Sequence, residues 1–204
     1  MRRIALVLIA LGATVVVQAS NAGGAGGTCG RQQGHTLVQN GSARVYTLNG
    51  GVYACAIPNG VSYHLGSASV CVGTQRAAPV AIAGRLVAYG LEQCGVDTGS
   101  TVVVVRRVTN GKRLRSDPAI AGAAGPESYQ TVESLVVKRD GSDAWIVVTN
   151  SLAGHGSNIE VRAHSKSGPA LLDSGFGINP SSLRLRGSKL SWRHGGQRRT
   201  ATLS

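Results

Sequence analysis

The sequence predicts an all-β fold of antiparallel repeats, about four units with three to four short strands each. Three observations carry that reading. Of 204 residues, 29 are Gly and 42% are hydrophobic, yet only 4% are aromatic and 15% charged. A core under those limits is filled by Val, Leu, Ile and Ala, and a β-branched, Gly-punctuated chain favours strands and turns over helices. Asn-Gly or Asp-Gly pairs stand at 49–50, 110–111 and 140–141, where they supply the positive φ angles of tight hairpins. One phrase also recurs: a strand, a Gly turn, and a strand in which a small residue precedes an aromatic, as in Ala88-Tyr89, Ala144-Trp145 and Ser191-Trp192.

Taken in order, the first unit has strand patterns at 43–48, 52–55 and 61–65. The second has them at 80–82, 86–89, 101–105 and 112–114. The run at 101–105 is apolar on both faces, as an inner strand buried on both sides requires. The third unit is the clearest copy: residues 132–148 form a strand, a turn at Asp140-Gly141 and a strand carrying Trp145, followed by 158–163 and 170–172. In the fourth, Leu183, Leu185, Leu190 and Trp192 alternate with Arg184, Arg186, Lys189, Ser191 and Arg193, which predicts strands with one wet face. The turn glycines Gly50, Gly84, Gly141 and Gly187 lie 34, 57 and 46 residues apart, a variable period suited to antiparallel blades.

The stretches Ala83-Gly84-Arg85-Leu86-Val87-Ala88-Tyr89, Thr109-Asn110-Gly111-Lys112-Arg113-Leu114 and Asp140-Gly141-Ser142-Asp143-Ala144-Trp145 resemble the repeats of TolB-type and WD40-like β-propellers. The mature chain also resembles small secreted actinobacterial proteins of uncharacterised function. The resemblance covers about residues 40 to 204 and implies a propeller-like fold, open or incomplete at four units, without implying an activity.

Residues 1–22 read as a cleaved signal peptide. Arg2 and Arg3 precede an apolar run at 4–17, and small residues before Ala19 and Ala22 suit a signal peptidase. The run is shorter than the roughly 20 residues of a bilayer span, so the expectation is a secreted or extracytoplasmic protein without a stable membrane span. Residues 23–40 are expected to be a flexible Gly/Ala linker and lead-in, and 41–204 one domain. The four cysteines, Cys29, Cys55, Cys71 and Cys94, suit disulfides in an exported chain. The favoured pairs are Cys29 with Cys55, tying down the N-terminal segment, and Cys71 with Cys94. Their spacings fit no structural zinc site, and neither a metal nor a cofactor is expected.

The sequence holds no nucleophile elbow, phosphate loop or zinc-protease motif. His155 with Ser157 or Asp173 has no supporting spacing as a catalytic set. Asp140 and Asp143 flank a hairpin and read as turn residues, and Trp145 and Trp192 read as core. Phe176, between two glycines, reads as an exposed aromatic. What stands out is charge: 21 basic against 9 acidic residues, a formal net charge of +12. One basic cluster is Arg106, Arg107, Lys112, Arg113 and Arg115. The better candidate surface is Arg184, Arg186, Lys189, Arg193, Arg198 and Arg199. The expected function is a non-enzymatic binding or structural module of the cell envelope that engages an anionic polymer or another protein. Nucleic acid is disfavoured because exposed aromatics are scarce. The alternative is a secreted hydrolase or lyase acting from a propeller face.

Overall fold

A computed structural model describes residues 29, 34–69, 75–94, 99–121, 128–151 and 157–204. The expected signal peptide, Cys71 and His155 lie outside the described residues, as does the side chain of Cys94, so the second expected disulfide does too. Among the described residues no helix is long and apolar enough to cross a membrane.

The fold is all-β, with antiparallel meanders throughout. The first is β1 (His35–Gln39), β2 (Ala43–Leu48), β3 (Gly51–Ala56) and β4 (Ser62–Ser67). The second is β5 (Gln75–Ala83), β6 (Leu86–Cys94), β7 (Gly99–Arg107) and β8 (Arg113–Pro118). The third is β9 (Ser128–Val137), β10 (Asp143–Ser151), β11 (Ser157–Ser165) and β12 (Gly168–Ser174), and the last is β13 (Arg184–Arg186), β14 (Lys189–His194) and β15 (Gln197–Thr202).

The hydrogen-bonded grouping differs from four separate units. Strands β1 to β8 form one eight-stranded sheet, β9 to β12 a second and β13 to β15 a third. The two halves of the large sheet meet through one parallel pair, Ser67 with Arg76. Gly66 permits that junction: a Cβ there would stand 2.7 Å from the Gln75 carbonyl oxygen. Strand β1 also lies inside the stretch expected to be lead-in. It is an edge strand with only Val38 turned to the core, too weak a pattern to read in isolation. Arg44 fastens this segment, donating from Nε to Thr36 Oγ1 at 2.8 Å, and from its terminal nitrogens to the Gly34 and Cys29 carbonyls at 3.0 and 2.5 Å. The expected Cys29–Cys55 disulfide is formed, with Cα atoms 5.7 Å apart. Cys29 packs beside Tyr46 and covers the outer side of the first meander.

Successive meanders are joined by apolar cores. Val45, Val52 and Ala54 pack with Val87, Tyr89, Leu91 and Val104, joining the first meander to the second. Ala88, Val103 and Val105 pack with Val132, Leu135, Trp145 and Val147, joining the second to the third. Ala144, Ile146 and Val161 pack with Leu183, Leu190 and Trp192, joining the third to the last. Alternation explains the arrangement: odd positions of β6 serve one core and Ala88 the next, while even positions of β10 serve the last core and Trp145 and Val147 the one before. Among the described residues, no such core joins the last meander to the first.

The Trp145 phrase is scaffold, with a correction. Trp145 is 1% exposed and donates through Nε1 to the Ala119 carbonyl at 2.8 Å. Asp140 is a turn residue, accepting from the Ser142 N–H at 2.9 Å. Asp143 is not. It is fully buried and paired with Arg115 of β8, which also holds Asp117 at 2.6 Å. Burial raises the Asp143 carboxyl to about 7, outweighing the pull of Arg115. Its second oxygen is buried without a hydrogen-bond partner, which suits a proton there.

Two outcomes follow. Because the folded Asp143 holds its proton up to about pH 7 whereas the unfolded chain releases it near 4, its stability contribution is full at low pH and is lost as pH rises through 7. Asp143→Asn should therefore flatten a decline in stability between about pH 4 and pH 7 worth on the order of 4 kcal/mol. Thermal melts in which both proteins show the same pH slope would contradict this. Replacing both Cys29 and Cys55 by Ser, across a separation of 26 residues, should cost about 3 kcal/mol in denaturant unfolding, and an unchanged midpoint would count against the tether.

Candidate functional site

The last meander buries one face and leaves the other open. Leu185 pairs with Leu190 and Leu190 with Ala201, and these side chains turn toward the third meander. The register puts Arg184 opposite Ser191, Arg186 opposite Lys189 and Arg193 opposite Arg198. Five of the six expected residues, Arg184, Arg186, Lys189, Arg193 and Arg198, therefore share the open face. Arg199 does not: it pairs with Trp192 and lies on the reverse side. Adjacent residues of a strand point to opposite faces, so Arg198 and Arg199 cannot both join the cluster.

Four of these guanidinium groups, Arg184, Arg186, Arg193 and Arg198, line one hollow of about 480 Å³ together with Ser182 and Ser191. Lys189 stands outside its lining. Local bonds orient the cations without neutralising them. Arg184 Nη1 donates to the Ser181 and Leu183 carbonyls at 2.9 and 2.7 Å. Arg193 reaches the Gly196 carbonyl at 3.3 Å and Arg198 the Ser191 hydroxyl at 3.3 Å. Ser182 Oγ accepts from the Arg193 N–H at 2.9 Å and donates to the Asn179 carbonyl at 2.6 Å, fixing the rim. The chain carries no Asp or Glu after Asp173. Among the described residues none of the six basic side chains forms an ion pair. Each guanidinium has five N–H donors, so most remain available. Such a surface can hold carboxylate, sulfate or phosphate groups spaced along a chain.

The reverse side holds a constellation that no sequence spacing announced. Asp173 of β12 accepts from Trp192 Nε1 at 2.6 Å and faces His194 Nδ1 at 3.0 Å. Burial pushes the Asp173 carboxyl up, but the hydrogen bonds from Trp192 and His194 win and hold it below the usual carboxylate range. With Nδ1 turned to the carboxylate, Nε2 lies beside Gly175 and Gly177, whose added Cβ atoms would each stand 3.3 Å from it. Asp173, His194 and Arg199 line a hollow of about 400 Å³. Phe176 is 77% exposed, as its flanking glycines suggested. Trp192 is buried on the core side, so neither Trp is a free stacking platform. Ser157 donates to Asn150 Oδ1 at 2.7 Å.

The other basic cluster divides. Arg115 points inward to Asp117 and Asp143, whereas Arg106 and Arg113 line a separate hollow. Among the described residues no three metal-binding side chains converge.

No family model and no curated protein matches the chain. Among solved structures it is similar to Kuenenia stuttgartiensis hydrazine synthase, at 15% identity and a TM-score of 0.50, over 80% of this chain and 50% of that one. The chain thus spans about half the length of that protein, and the likeness is one of fold.

Proposed function

We propose that this protein is an exported, non-enzymatic binding module whose four meanders form an open, propeller-like array and whose last meander engages an anionic polymer of the cell envelope. The observation that supports it most is the hollow lined by four guanidinium groups with, among the described residues, no carboxylate to neutralise them. Export rests on the leader-like residues 1–22 and on the Cys29–Cys55 disulfide, which suits an oxidising compartment. A polymer is favoured over a small ligand because the cations are spread across three strands of an open sheet. The binding is largely electrostatic and so weakens with salt.

The full chain is expected to stay on immobilised polygalacturonate, or on anionic wall polymer, at low salt and to elute as salt rises. Changing Arg184, Arg186 and Arg198 together to Ser should weaken retention at least about tenfold, given the strength of charge-assisted hydrogen bonds discounted for exposure. Unchanged retention of the triple variant would refute the assignment.

A second reading, a hydrolase or lyase, draws on the Asp173–His194 pair beside Arg199. A carboxylate that orients an imidazole leaves the other ring nitrogen as a base. Under this reading the protein cleaves a glycan or ester in a substrate screen, and His194→Ala lowers the rate by about 100-fold or more. An inactive parent protein, or activity that survives the substitution, would exclude it.

A further inference from the structure

We propose that the hollow at the seam between the first two meanders is a second, independent site, for a small organic acid with a ring body. It measures about 520 Å³, the range of small-molecule pockets. It opens beside the single parallel pair that joins β4 to β5. Tyr53 and His64 bring two rings from the first meander, with centroids 5.1 Å apart. Tyr89, Arg106 and Arg113 come from the second.

Two features of this hollow point to a ligand. Arg106 and Arg113 are direct partners across β7 and β8, and like charges placed opposite each other on a sheet repel. Neither forms an ion pair among the described residues. Among the described residues no carboxylate lines the hollow. Arg106 also occupies a core-type position: it pairs with Val87, two residues along from the Val104–Tyr89 pair and so on the same face, and Val87, Tyr89 and Val104 all belong to the first core. Its Nε is sealed from solvent without a hydrogen-bond partner. A guanidinium directed into an apolar row beside a second guanidinium is suited to an anion held between them.

The remaining lining defines the rest of the ligand. A carboxylate matches the planar fork of an arginine. Tyr53 and His64 offer ring faces and edges against which a flat or cyclic body can stack. Burial raises the Tyr89 phenol against the pull of Arg106 and Arg113, and Arg106 also hydrogen-bonds to its oxygen, so the phenol O–H remains free to donate. The shared chemistry is a carboxylate on a six-membered ring, whether a sugar acid or an aryl acid.

The test is calorimetric titration of the full-length protein with galacturonate, 4-hydroxybenzoate, galactose and inorganic phosphate. Binding of either acid, without galactose or phosphate, is the expected result, and which acid binds distinguishes the sugar from the aryl source. Arg113→Gln, a change at an exposed position, and Arg106→Gln should each weaken that binding about tenfold or more. The Arg184, Arg186 and Arg198 triple variant should leave it unchanged, which separates this site from the polymer-binding face. Failure of both acids to bind, phosphate binding as tightly as the acids, or acid binding that survives Arg113→Gln would overturn the proposal.

Discussion

Inner strands that are apolar on both faces govern this molecule. Val103, Val104 and Val105 of β7 alternate between two cores, as do Ala144, Trp145, Ile146 and Val147 of β10. A meander of that kind cannot stand in water, because both faces need cover. The second and third meanders are therefore each stacked between two neighbours, and the order of the stack follows the order of the chain. The buried Arg115–Asp143 contact lies within one such joint. With Asp117 and His164 beside it, it gathers ionisable groups at the edge of an apolar seam, which makes that joint responsive to pH.

A stack in series has two ends, and the sequence treats them differently. At the first, Cys29 and Arg44 draw the N-terminal segment over Tyr46 and Cys55. At the other, β13 to β15 bury only the face carrying Leu185, Leu190 and Trp192. The opposite face carries no packing duty, so arginines gather there without burying unpaired charge. The proposed function belongs at this end for that reason: it is where the architecture leaves a sheet surface uncovered.

Much of this was legible from period and turn chemistry. Strand alternation with Gly turns marked most strands, and in the last meander it placed five of six basic residues on one face. It misplaced Arg199 because adjacent Arg198 and Arg199 read as a single charge run. The continuous eight-stranded sheet was hidden because it depends on one close approach at Gly66, which no local pattern encodes. Asp143 resembled its neighbour Asp140; only Arg115, 28 residues away in sequence, makes it an interior group. The Asp173–His194 pair joins residues 21 apart across two sheets, beyond what spacing can show.

The central claim is that the uncovered face of the last meander is the polyanion surface. Hydrogen–deuterium exchange of the full protein, with and without polygalacturonate, tests it most directly. The account predicts slowed exchange at the 178–200 segments and unchanged exchange in β2 and β9. Protection confined to the first eight strands, with none at 178–200, would contradict it.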